Sequence, residues 1–170
     1  MKPYSFSFDT AKCSACLACV VACQDQNDLS AENPSFRYVK VHEESAYPSA
    51  RIASISIACF HCGDAPCLMV CPTGAIFRHR QTGFIDLNRN LCVGCHSCQL
   101  ACPFGAPKFQ MDGKMAKCDL CHARVASDML PACVQVCSTG ALTIAPLDEL
   151  ATQKADKAAL DILKSVAGSF

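Results

Sequence analysis

No apolar run in this 170-residue chain approaches the roughly 18 residues that span a bilayer. The longest candidate, Ile52 to Phe60, is short and broken by Ser54 and Ser56. That predicts a soluble or peripheral protein. Met1 to Asp9 has neither an apolar stretch nor a small-residue cleavage site, so no secretory signal is legible and a cytoplasmic location is expected. The alternative is export in folded form on a partner that carries the signal. There is no run of lysine and arginine, and fifteen basic residues balance fifteen acidic ones, so a nucleic-acid partner is not expected. Neither GxGxxG nor GxxxxGK occurs, which removes the usual loops for dinucleotides and nucleoside triphosphates.

What the chain has in excess is cysteine, sixteen in all. They fall into four quartets with none left over: Cys13, Cys16, Cys19, Cys23; Cys59, Cys62, Cys67, Cys71; Cys92, Cys95, Cys98, Cys102; and Cys118, Cys121, Cys133, Cys137. Each quartet opens as CxxC and closes as CxxxC, and only the middle gap varies. The closing cysteines lead into Cys71-Pro72-Thr73-Gly74-Ala75-Ile76, Cys102-Pro103-Phe104-Gly105-Ala106-Pro107 and Cys137-Ser138-Thr139-Gly140-Ala141-Leu142, so a longer unit repeats. Each copy reads as helix, turn and short strand, with Phe6 to Asp9 and Phe84 to Leu87 as partner strands.

Such spacing has a specific chemistry. Three cysteines in a tight loop wrap three irons of a cubane, and in the run C-x₂-C-x₂-C-x₃-C-P the fourth cysteine ligates the other cluster of a pair. The adjacent middle quartets make one such pair: Cys59, Cys62 and Cys67 with Cys102, and Cys92, Cys95 and Cys98 with Cys71. The outer quartets make the second: Cys13, Cys16 and Cys19 with Cys137, and Cys118, Cys121 and Cys133 with Cys23. Sixteen thiolates on four such clusters leave a loaded chain near about −8.

The fold expected is α+β, two interleaved bacterial two-cluster ferredoxin-like modules. The outer module takes residues 1–30 and 109–146, and the inner one 59–108. Residues 31–58 form an inserted β-hairpin, with strands Phe36 to His42 and Arg51 to Ala58 joined through Pro48. Residues 147–170 form a C-terminal helix, packed on its own domain or, as the alternative, docked on a partner, with Asp148 as the candidate cap.

Other uses of sixteen cysteines fit less well. Neighbouring cysteines in CxxC loops offer few long-range disulfide staples. Zinc is the stronger competitor, since Cys118-x₂-Cys121-x₁₁-Cys133-x₃-Cys137 alone resembles a zinc ribbon and would make a zinc-stabilised interaction module. A ribbon does not account for the CxxCxxC triplets at Cys13 and Cys92. The histidines beside the quartets, His61, His96 and His122, are expected as hydrogen-bond donors or surface groups, because the cysteines already complete four clusters. Arg78, Arg89, Lys108 and Lys117 are read first as members of a solvated face, and second as groups that offset cluster charge.

Taken together, Cys13 to Cys23, Cys59-Phe60-His61-Cys62-Gly63-Asp64-Ala65-Pro66-Cys67, Cys92-Val93-Gly94-Cys95 and Lys117-Cys118-Asp119-Leu120-Cys121 resemble the four-cluster iron–sulfur subunits of the dimethyl sulfoxide reductase family, as in polysulfide reductase and formate dehydrogenase. The resemblance implies an electron-transfer subunit with no active site of its own and four [4Fe–4S] clusters in a line. It also implies two partners. One is a molybdenum- or tungsten-pterin catalytic subunit of formate dehydrogenase, polysulfide or dimethyl sulfoxide reductase, or aldehyde oxidoreductase type. The other is a second redox subunit, a flavoprotein, a membrane quinone subunit or further copies of the chain. A hydrogenase-type complex is the alternative setting. Ser138 stands where such motifs often carry proline, and the absence of tryptophan and of an anchoring tail lends no support to a quinone-linked complex.

Overall fold

The computed structural model describes residues 4–44, 51–80 and 82–167. Its strands are short, because each is confined between a cysteine loop and the next helix. Tyr4–Phe8 (β1) pairs antiparallel with Leu142–Pro146 (β8), Phe6 lying opposite Ile144, so the two ends of the chain share one ribbon. Tyr38–Glu44 (β2) pairs with Arg51–Ile57 (β3), Ile76–Arg78 (β4) with Ile85–Leu87 (β5), and Lys108–Phe109 (β6) with Met115–Ala116 (β7), all antiparallel. Each pair joins the strand after one quartet to the strand before the next, with β8 and β1 closing the cycle. The expected hairpin therefore occupies the same place in the repeat as the three shorter pairs. Its connection, including Pro48, lies outside the described residues.

Helices carry the third cysteine of each quartet: Cys19, Cys67, Cys98 and Cys133. Ala18–Gln26 (α1) bears Cys19 and Cys23 one turn apart, which puts both thiols on one face. Pro66–Met69 (α2) starts on a proline whose missing N–H would have had no partner in the first turn, and Ser97–Ala101 (α3) packs against it. His122–Ala126 (α4) follows Cys121, and Ala132–Gln135 (α5) packs against α1. The arrangement is α+β, with α1 and α5 from opposite ends of the sequence forming one helix pair and α2 and α3 the other.

The interior is made mostly of alanine and cysteine, with a few large side chains among them. One cluster holds Cys23, Phe36, Ala58, Cys59, Ala106, Ala116 and Cys118; another holds Ala65, Cys67, Ile76, Ile85, Cys98 and Met115. Alanine and cysteine bury little apolar area each, so sulfur-bound cofactors would supply much of the missing interior.

Leu147–Ala167 (α6) closes the described chain, and residues 168–170 of the expected helix lie outside it. Asp148 lies in the first turn of this helix beside Glu149, where the macrodipole favours negative charge. The expected packing holds for one end only: α6 meets β1 and β8, and Leu150 is buried, but Leu160, Ile162, Leu163 and Val166 are all more than half exposed. No helix among the described residues is long and apolar enough to cross a membrane.

Candidate metal centre

The same backbone twist recurs in every CxxC. The residue before the second cysteine is left-handed at all four quartets: Ala15 at φ +55°, His61 at +48°, Gly94 at +69° and Leu120 at +61°. For three side-chain-bearing residues this costs about 1–2 kcal/mol each, so the loop geometry must be held by something else. The twist turns main-chain N–H groups toward sulfur. His61 N–H lies 3.5 Å from Cys59 Sγ and Leu120 N–H 3.4 Å from Cys118 Sγ. Ala106 N–H reaches Cys102 Sγ at 3.5 Å, and Met115 N–H reaches Cys92 Sγ at 3.4 Å. Hydroxyls lie beside sulfur as well: Ser56 lies 3.4 Å from Cys19 Sγ, Thr73 and Thr139 lie 3.7 Å from Cys71 and Cys137, and the Cys95 thiol donates to the Ser97 hydroxyl at 3.6 Å. Donors directed at sulfur are what a thiolate needs when it carries metal.

The thiols gather in fours. One cavity is lined by Cys13, Cys16, Cys19 and Cys137. A second is lined by Cys59, Cys62, Cys67 and Cys102, and a third by Cys71, Cys92, Cys95 and Cys98. The remaining four, Cys23, Cys118, Cys121 and Cys133, are all buried. Cys23 interacts with Cys133, Cys121 and Cys118, which makes them a fourth group. Among the described residues, no three Cys, His, Asp or Glu side chains draw together to grip a single ion. The thiols ring a space instead of meeting at a point, which suits a cubane and not a zinc ion.

Burial dominates the electrostatics. It pushes the Cys23 thiol up to about 12, with Cys133 adding to the rise, and the Cys98 thiol up to about 11. It also raises Cys118, Cys59, Cys67, Cys121 and Cys133. Cys95 goes the other way, held low by the Ser97 hydroxyl. At Cys71 and Cys137 the upward push of burial is outweighed by hydrogen bonds from the turn that follows, including Thr73 and Thr139. A thiolate kept in a low-dielectric interior needs a compensating cation, and bound iron is one.

Residues 51–146 match the family described as 4Fe-4S dicluster domain. The chain belongs to that family. As a member, it is similar to the B subunit of anaerobic dimethyl sulfoxide reductase from Haemophilus influenzae, 37% identical, with 94% of this chain and 82% of the relative covered. The corresponding B subunit from Escherichia coli is 38% identical over 92% of this chain and 80% of its own length. The protein NrfC of Escherichia coli is 36% identical over 86% of this chain and 66% of its own length. The family member described here is thus an iron–sulfur electron-transfer subunit of dimethyl sulfoxide reductase type, and it carries [4Fe–4S] clusters.

Two groups around the centre, Lys117 and His61, differ from the sequence expectation, whereas His96, His122 and Arg89 lie at the surface as expected. Lys117 is not on a solvated face: it is buried, and its Nζ donates to the carbonyls of Ile85 and, at 3.1 Å, Cys118. His61 is neither donor nor surface group through Nδ1. That atom accepts from Ile85 N–H at 3.2 Å, and burial, followed by the charge of Lys117, pushes the imidazole down to about 3. His122 pairs with Asp119 at 3.1 Å, and His96 stacks on Phe109. Arg89 meets Asp112 at 2.7 Å on the surface, and Lys108 sits over the Tyr38 ring.

Other contributors escaped sequence reasoning. Ser54 donates to the Cys13 carbonyl at 3.0 Å and Ser56 faces Cys19, both from β3, while Arg37 is buried behind them. The one available signal was inverted alternation. Along Ala53-Ser54-Ile55-Ser56 the serines are buried and Ile55 is exposed, so this strand turns its polar side inward.

Proposed function

We propose that the chain relays single electrons through four [4Fe–4S] clusters between a molybdenum- or tungsten-pterin catalytic subunit and a second redox subunit. The ligand sets are Cys13, Cys16, Cys19 and Cys137; Cys23, Cys118, Cys121 and Cys133; Cys59, Cys62, Cys67 and Cys102; and Cys71, Cys92, Cys95 and Cys98. The observation that carries this reading is the gathering of the sixteen thiols into those four groups of four.

Neighbouring groups act on one another's charge in one order. Cys19 of the first acts on Cys133 of the second, Cys59 of the third on Cys118 of the second, and Cys67 of the third on Cys98 of the fourth. The two cysteines that are exposed, Cys16 and Cys95, belong to the first and last groups. That order supports a linear relay with an accessible end at each side. The shared β1–β8 ribbon and the α1–α5 packing support an outer module of residues 1–30 and 109–146 around an inner module of 59–108.

A cubane held by four thiolates offers no open iron, so it supplies one-electron storage and not substrate activation. The protein's part is to hold each thiol, direct N–H and hydroxyl donors at sulfur, and keep the inner groups dry. The pterin partner rests on the relatives that are named as the B subunit of a reductase.

The test is iron and acid-labile sulfide content with EPR on an anaerobic preparation. About sixteen irons per chain are expected from four cubanes. Cys102→Ser should reproduce the spectral change of Cys62→Ser and not that of Cys95→Ser; the reverse would falsify the ligand exchange between quartets. The partner is tested by anaerobic affinity purification, where molybdenum or tungsten must copurify with the chain.

A further inference from the structure

Two cations are buried among the described residues, and neither has a carboxylate partner there. Arg37, just ahead of β2, is 2% exposed, and Lys117 is 6% exposed. The ion pairs among the described residues are Lys12 with Asp9, Arg89 with Asp112 and His122 with Asp119. An unpaired charge in a protein interior is strongly disfavoured unless something of opposite sign lies close by.

For Arg37 the surroundings are sulfur. Its Nη1 donates to the Ser56 hydroxyl at 3.0 Å, and that hydroxyl lies 3.4 Å from Cys19 Sγ of the first group. Its guanidinium sits 5.0 Å from the centre of the Phe6 ring and is close enough to Cys133, Cys23 and Cys118 to act on their charge. Three of the four thiols of the second group thus face one guanidinium, whose Nε has no protein partner. Lys117 holds the equivalent place at the third group, acting on Cys59 and Cys67.

We propose that Arg37 is the built-in counter-cation of the second cluster, set between the first two thiol groups, and that it raises that cluster's reduction potential. This rests on the four-cluster reading above. One electron passed from a neighbouring cluster takes a [4Fe–4S]²⁺ core to [4Fe–4S]⁺ and adds one negative charge to a buried site. A fixed positive charge beside its thiolates lowers the cost of that addition, since nearby charge and hydrogen bonds to sulfur are the protein's levers on potential. With Lys117 at the third group, the inner two clusters carry buried compensation. Arg37 is a positioning residue, since it acts through the thiolates and makes no bond to iron.

The experiment is an EPR-monitored redox titration of the full holo chain, prepared without oxygen, as wild type, Arg37→Gln and Arg37→Lys, with iron and sulfide measured on each. The expected result is a downward shift of one midpoint in Arg37→Gln, the other midpoints staying in place, and recovery in Arg37→Lys, which keeps the charge. If Arg37→Gln loses iron, retention of iron and of the wild-type midpoints in Arg37→Lys supports the assignment. Unchanged midpoints in an iron-replete Arg37→Gln, a shift that Arg37→Lys does not restore, or loss of iron in both variants would overturn it. Those outcomes leave the four-cluster reading standing. That reading fails separately if wild type itself holds no iron.

Discussion

The Arg78 guanidinium donates to the Cys62 carbonyl at 2.8 Å, tying β4 to the loop that carries the third thiol group. The same side chain reaches the Gly63 carbonyl, and Nη1 donates to the Gly83 carbonyl at 2.8 Å. One exposed arginine therefore braces two loops. Arg78→Ala should cost about 1–2 kcal/mol, the range for hydrogen bonds from a charged donor at an exposed site. The loss should appear as faster iron release under chelator challenge, concentrated in one cluster's EPR signal. Release at the wild-type rate would mean that the loop holds itself.

Gly94 sits where no other residue fits. Its φ is +69°, and a Cβ there would lie 2.6 Å from the Gly113 carbonyl oxygen. Gly74 has a similar φ of +64° but open space around it. Gly94→Ala should therefore cost about 2–4 kcal/mol from backbone strain plus overpacking, and Gly74→Ala about 1–2 kcal/mol from strain alone. Chemical denaturation of the two holo variants side by side checks the ordering, and equal losses would contradict it.

Removing iron should remove the fold. The interior is built largely from alanine and cysteine, and a metal site absent from the unfolded chain makes binding energy into folding energy. Anaerobic chelation should collapse cooperative thermal unfolding and the far-UV signal together with the iron. An apo chain that still melts cooperatively at the holo temperature would refute this.

The distal half of α6 should be dispensable to the cluster-bearing part. Ending the chain after Asp156 removes Leu160, Ile162, Leu163 and Val166, all exposed, and should change stability by under about 1 kcal/mol. Leu150→Ala removes the helix's buried anchor and should cost about 2–3 kcal/mol. Calorimetry on the holo forms distinguishes them.

The quartets were legible because their spacing is local. A CxxC loop of four residues has few ways to present two sulfurs, and the left-handed twist at Ala15, His61, Gly94 and Leu120 repeats the same solution. The strand pairs β2–β3 and β4–β5 were legible too, since apolar and β-branched residues bounded by turn signals mark them. Arg37 and Lys117 were not. A lone basic residue reads as surface in any pattern count, and its burial follows from which distant thiols fold around it. The outward stripe on α6 looked like a packing face because periodicity records which residues share a side, and not whether a neighbour is there.

By itself, the order of residues determined the chemistry: four repeats of cysteines at cubane spacing, held by turns that need only a few neighbouring residues to form. The tertiary structure decided the surroundings. It brought Cys137 beside Cys13 and Cys23 beside Cys133, buried Arg37 and Lys117 among sulfurs, and turned the serines of β3 toward a thiol loop. Ligand type is a local property of the chain, whereas charge compensation and desolvation depend on every segment that packs around a site, however far away in sequence it lies.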